Sequence, residues 1–258
     1  MNIRVLGDRN FAMASILMAA MGFLLYGTAV AIPQLAQQVL GYDATLAGLV
    51  LSPGAALLII LIPIVERLQR VVPTKYIIAT GFFILGSAMF YSHRLTPNVS
   101  FNELVIMRAA QAAGLAFLFA PLSAIAFINI SREDTGDASA LFTMFRNVSG
   151  SIGISLATAL AFSRTQVRMG HLVPHLTPLD QGYTATLQQY EQALIAQGGH
   201  AASTVAQTAM GLIYKSFQMQ AAILAYTDVF AIGGIVAFCV VPVAFFLTSR
   251  TGGRPAGG

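Results

Sequence analysis

Arg108 is the residue whose type least suits its surroundings. It is the only charge in the run Leu104–Ile130, and an ionised side chain among apolar helices costs about 2.5–3.5 kcal/mol on insertion scales. Helical spacing puts Gln111 on the adjoining face. Ala112, Ala116, Ala120 and Ala124 follow Arg108 at steps of four, a small-residue stripe suited to close helix contact. Pro121 then frees a backbone carbonyl in mid-run. Two readings stand side by side. Arg108 lines a polar, water-accessible cavity beside a substrate or proton path, or it snorkels to the outer interface, since Glu103 starts the helix on that side. Asp228, in Ala225–Phe230, is either a proton-exchange group or a helix cap at the mouth of the last apolar run. Tyr26 and Gln34, with Pro33, Gln37 and Gln38 close by, mark a helix bending round a cavity or an ordinary frayed end. Gly150, Gly153, Ala157 and Ala161 form a second small stripe, read as packing, with Arg146 and Asn147 anchoring its cytoplasmic end.

Enzyme chemistry finds no such foothold. The sequence has no HExxH helix, no Gly-x-Ser-x-Gly elbow and no phosphate-cradling Walker loop. His171 and His175 are four apart, but Pro174 between them disfavours the helix that would align them on a metal. The one cysteine, Cys239, excludes an internal disulfide framework and a cysteine-rich metal site. No enzyme, cofactor or resident metal is expected. Fourteen basic against ten acidic residues are too sparse for a nucleic-acid groove.

The elements that would hold these residues follow from composition. Of 258 residues, 56% are apolar and 9% charged, where soluble domains carry about 25% charge; mean hydropathy is +0.72. A bilayer-crossing helix needs about 20 apolar residues, and spans are predicted at about 11–34, 44–65, 76–91, 104–130, 140–162 and 229–249. Lipid offers backbone groups no partner, so these are helices, and the chain reads as an all-α membrane protein. With the N-terminus in the cytoplasm, inside segments hold Arg4, Arg9, Arg67, Arg70, Lys75, Arg132, Arg146, Arg250 and Arg254, whereas the short outside loops hold Arg94. The positive-inside rule therefore puts both termini in the cytoplasm. The stretch from about 163 to 228 is a long outer loop. Within it Leu187, Tyr190 and Leu194, then Val205, Leu212, Ile213 and Phe217, recur at helical spacing. Gly198-Gly199 separates them, predicting a surface hairpin whose second helix feeds the last span, or else a solvated loop.

Several segments, in this order and spacing, resemble EmrB/QacA-type drug:proton antiporters of the major facilitator superfamily. They are Pro33 through Gly41-Tyr42 to Gly48, Leu51-Ser-Pro53-Gly54, Arg108-x-x-Gln111-x-x-Gly114 with Pro121-Leu122, and Ala138–Leu141 with Arg146-Asn147 and Gly150-Ser-Ile-Gly153. The outer loop, with Leu176-Thr-Pro178 and Gln220 to Tyr226-x-Asp228-x-Phe230, resembles the EmrB branch. The resemblance implies a six-helix half of a major facilitator fold, with inverted three-helix repeats, in the bacterial inner membrane. It implies multidrug efflux, the export of hydrophobic and amphipathic compounds by proton antiport. It also implies that these are the last six of fourteen spans, so that the partners are the N-terminal half and, in the EmrB branch, a periplasmic adaptor and an outer-membrane channel. The first and fourth spans then face the central path, which would bring Tyr26, Gln34, Arg108, Gln111 and Pro121 to it. Where the family has a Gly-Arg-rich loop, this chain has Pro63 to Glu66-Arg67 and Arg70, a departure that touches the loop's gating role. From a different class, a non-transporting scaffold binding an envelope partner through the outer hairpin fits the same residues.

Overall fold

Helices α1, α2 and α4 begin where a side chain can satisfy a first free N–H group. In the computed structural model, which describes residues 3–93, 95–96, 99–172, 181–196 and 202–247, a 3-10 turn at Ile3–Gly7 leads to Asp8. That carboxylate accepts from Phe11 N at 2.8 Å and opens α1 (Arg9–Gln34). Asp43 does the same for α2 (Ala44–Leu68), accepting from Leu46 N at 2.8 Å. Helix α3 covers Thr74–Ser92. Ser100 and Glu103 cap α4 (Phe101–Ala126) reciprocally, each side chain meeting the other's backbone N–H. Ser131 and Asp134 bond each other at the entry to α5 (Thr135–Leu172). Helices α6 (Gln181–Ala196) and α7 (Ala202–Ala244) complete the order. Between α1 and α2 the chain widens into a π turn at Leu35–Val39 and reverses at Gly41, whose φ of +73° favours glycine.

Glycines set the packing, because without a Cβ they let helices approach closely. Gly81 lies on Phe117 and Leu118, and Gly114 on Leu85, so α3 and α4 run antiparallel. Gly86 lies on Phe238, while Gly233 and Gly234 meet Met89 and Phe90, so α7 runs back along α3. Gly22 meets the Arg146 backbone, Gly150 the Tyr26 ring, and Gly153 the backbone of Phe23 and Gly27. Here α5 runs parallel to α1. Helix α2 docks on α4, where Gly54 meets Arg108 and Ala112, but only 17% of its apolar window is buried, against 50–56% in the other apolar helices. At the end of the bundle where α1 starts, Phe11, Phe127 and Phe142 pack with ring centroids 5.7–6.3 Å apart. Asn129 Nδ2 donates to Asp8 Oδ2 at 3.0 Å there.

Among the described residues, five helices are long and apolar enough to cross a membrane: α1 with its π turn, α2, α3, α4 and Val205–Ala244 of α7. Helix α5 falls outside that set on composition, although a span is expected at about 140–162. Its outward face carries Ser139, Thr143, Asn147, Ser151 and Ser155 at steps of four, all exposed, which lowers its hydropathy.

The stretch at about 163–228 takes the hairpin reading, as α6 and the first part of α7, and departs from expectation at its start. Helix α5 continues to Leu172, and α7 is one helix of 43 residues with no Pro or Gly between Lys215 and Ile232 to interrupt it. The second hairpin helix and the last span are therefore a single element. Its membrane-depth part lies beside α3: His93 Nδ1 is 3.4 Å from Thr227 O, and Tyr76 and Phe245 stack edge-on at 6.0 Å. Ala202–Tyr226 projects beyond α3 by about 35 Å at 1.5 Å per residue. There Val205, Ala209 and Ile213 are buried, and α6 packs against α7. Arg94, Asn98, Pro174 to Pro178, Gly198-Gly199 and the end of the last span beyond Leu247 lie outside the described residues.

A buried guanidinium between three helices

Arg108 resolves its two readings in favour of burial. It is 8% exposed, its stem runs past Gly54 of α2, where a Cβ would come to 3.2 Å of Cγ, and its Nη1 donates to Thr28 Oγ1 of α1 at 3.3 Å. A snorkelling arginine would extend to the interface; this one turns into the bundle. Thr28 is free to accept because its own hydroxyl proton goes to Leu24 O at 2.8 Å, the backbone bonding that helical threonines favour.

One turn on, Gln111 is fully buried and its Nε2 donates to Ser92 Oγ at 3.3 Å. Ser92 in turn donates to Ala88 O at 2.8 Å. Gln111 Oε1 is buried without a partner. Arg108 and Gln111 thus join α4 to α1, α2 and α3, a polar seam through an otherwise apolar core. Among the described residues Arg108 has no ion pair.

The remaining sequence-predicted residues divide. Tyr26 is half-buried over Gly150 in the α1–α5 seam, and Ala157 lies next to Gly27. Gln34 is half-buried at the last turn of α1, where the chain widens into the π turn instead of fraying. Pro121 is buried in α4, which continues past it to Ala126. Asp228 is not a helix cap. It lies well inside α7, where every backbone N–H already has its helical partner, and it accepts from Arg168 Nη2 at 2.7 Å in a half-exposed ion pair. Sequence reasoning missed Arg168 because α5 was expected to stop near 162. It also missed Thr28 and Ser92, whose hydroxyls look unremarkable until the helices are assembled.

Arg146 needs a second correction. The chain was expected to place it at the cytoplasmic end of its span, but its backbone meets Gly22, midway along α1. The reason is that α5 starts at Thr135 and reaches Arg146 only after three turns.

The space beside Thr28 is small. The cavity beside Thr28, lined also by Phe23, Met89, Ala157, Val229 and Gly233, measures about 30 Å³, room for one water where drug-sized ligands need about 300–1,000 Å³.

Comparison with known proteins agrees with this arrangement. A family model described as Major Facilitator Superfamily matches residues 3–154. The multidrug export protein EmrB of Haemophilus influenzae is 31% identical over 195 residues, covering 73% of this chain and 38% of that protein. EmrB of Escherichia coli K12 is 26% identical over 253 residues, 97% of this chain and 48% of the relative. The fatty acid resistance protein FarB of Neisseria gonorrhoeae is 24% identical over 239 residues, 92% and 45% respectively. The chain spans less than half the length of these relatives. Helical throughout its described elements, apolar enough to cross a bilayer and matched over most of its length, it belongs to the Major Facilitator Superfamily.

Proposed function

We propose that the chain is the C-terminal six-helix half of an EmrB-type multidrug exporter in the bacterial inner membrane. It moves hydrophobic and amphipathic compounds outward in exchange for protons. The observation that carries this reading is Arg108: a guanidinium buried between α1, α2 and α4, held by one hydroxyl. Such a group is costly in a bilayer and belongs to a path that needs charge at that depth. The relatives' names, multidrug export and fatty acid resistance, support amphipathic substrates.

The cavity beside Thr28 is too small for such a compound, and in this reading the substrate space forms against the N-terminal half, with Tyr26, Gln34, Gln111 and Pro121 near it. Helix α5 is the fifth of the six spans. With the start of α1 in the cytoplasm, Arg4, Arg9, Arg67, Arg70, Lys75 and Arg132 all fall at that end, which the positive-inside rule favours. A periplasmic adaptor, continuous with an outer-membrane channel, would meet the projecting helices, where Ile195, Met210 and Tyr214 are exposed. The same patch favours the second reading, a non-transporting scaffold that holds an envelope partner there.

Dye accumulation decides between the two. Cells carrying the gene at its own locus should accumulate less of an amphipathic fluorescent dye than deletion cells, and collapsing the proton gradient should erase the difference. Equal accumulation in both strains would contradict export. Normal efflux by Arg108→Ala and Gln111→Ala would remove the polar seam from the mechanism.

A further inference from the structure

Helix α2 keeps most of its surface outside the bundle, and its open side differs in kind from that of α5. It is the most apolar of the five apolar helices and the least buried. Ile59, Ile60 and Ile64 are 50–74% exposed there, where α5 turns Ser, Thr and Asn outward. Aliphatic side chains of this sort suit hydrocarbon, not a water-filled path.

Ile60, Ile64 and Arg67 follow one another at steps of four and three, so they share one face of α2. That face passes from isoleucine to guanidinium at the end of α2 that meets the cytoplasm in the proposed orientation. One tight turn on, Arg70 N donates to Arg67 O at 3.1 Å, and both arginines are exposed. Among the described residues neither has an ion pair or a side-chain hydrogen bond. Between residues 59 and 80 the cations are Arg67, Arg70 and Lys75, and the one acid, Glu66, pairs with none of them.

Two further features put this corner in the headgroup layer. Val71, at the turn, is 79% exposed, an apolar side chain better placed among lipid than in water. Across the turn Lys75 Nζ lies over the Tyr76 ring at 5.2 Å, and Tyr76 meets Phe245 edge-on at 6.0 Å. An exposed tyrosine beneath a lysine marks the level where a span meets the headgroups. Two unpaired guanidiniums at that level, at the foot of an aliphatic face, complement a phosphate that carries acyl chains.

We infer that Arg67 and Arg70 bind the headgroup phosphate of an anionic phospholipid, with Lys75 beside it and the acyl chains against Ile60 and Ile64. The site stands on the membrane reading and not on export, so a chain that exports nothing would still hold the lipid.

The full polypeptide, with Cys239→Ser and a bimane fluorophore on Val71→Cys, is placed in phosphatidylcholine nanodiscs. Nitroxide-labelled phosphatidylglycerol or nitroxide-labelled phosphatidylcholine is added at rising mole fraction, and quenching is read. The anionic lipid should reach half-maximal quenching at a mole fraction at least about fivefold lower, the ratio that one surface cation supplies. Arg67→Gln with Arg70→Gln should bring the two curves together by weakening the anionic lipid alone, and Arg67→Lys with Arg70→Lys should keep most of the preference. Arg132→Gln, on another loop at the same end of the bundle, should leave it whole. Four results would overturn the site: coincident curves or no quenching before the arginines are changed, as when protein covers the corner; an unaltered preference in the glutamine variant; an equal loss in Arg132→Gln, which marks a diffuse surface potential; or relief of quenching by glycerol phosphate in the buffer, which marks a site for the free anion.

Discussion

At the scale of single residues, the structure turns on which buried polar groups find partners. Thr28 is the sole protein acceptor for the Arg108 side chain among the described residues, so Thr28→Val keeps the volume while orphaning a charge. The expected cost is about 1.5–3 kcal/mol, the range for hydrogen bonds to charged groups, read as lowered thermal stability in detergent. Thr28→Ser should recover most of it; an unshifted Thr28→Val would mean that water or lipid solvates Arg108 instead. Gly150 is a steric case. A Cβ there runs into the Tyr26 ring, and Gly150→Val should cost about 1–3 kcal/mol through overpacking. Pairing it with Tyr26→Ala should restore part of the loss, and a double variant no better than the single would place the strain elsewhere.

At the scale of elements, the sequence made most spans legible because bilayer thickness acts on composition directly. Helices α1 to α4 fall within a few residues of expectation, and the small-residue stripe of Gly150, Gly153 and Ala157 does lie in the α1–α5 seam. The far end of α5 was not legible, because hydropathy says where a helix leaves lipid and nothing about where it ends, whereas the helical spacing from Val205 did point to the outer part of α7. For the same reason Asp228 looked like a cap: apolarity begins at Val229, but the helix begins at Ala202. Nor could spacing decide whether Arg108 snorkels, since that depends on Gly54 of another helix leaving room for its stem. The Arg168–Asp228 pair follows as an element-scale prediction. Half-exposed, it is worth about 0.2–1 kcal/mol. Asp228→Asn should therefore shift stability little but speed proteolysis of the projecting helices, and exchanging the two charges should reverse that. A large global loss on Asp228→Asn would assign the carboxylate a role that the pair does not explain.

At the scale of the whole molecule, everything depends on α5 crossing the bilayer beside α1, although its polar outward face keeps it below the apolarity of the other spans. Parallel packing on α1 is the argument for that crossing: α5 meets Gly22, Phe23, Tyr26 and Gly27 in register, beside a helix apolar enough to cross a membrane. The polar face then belongs against protein or a water-filled path, not lipid. Labelling of single cysteines tests this most directly. With the only native cysteine removed as Cys239→Ser, Glu133→Cys before α5 and Gln188→Cys in α6 are treated in intact cells with a membrane-impermeant maleimide. The account predicts that Gln188→Cys labels from outside, whereas Glu133→Cys labels only after permeabilisation. Labelling of both positions from the same side would contradict it.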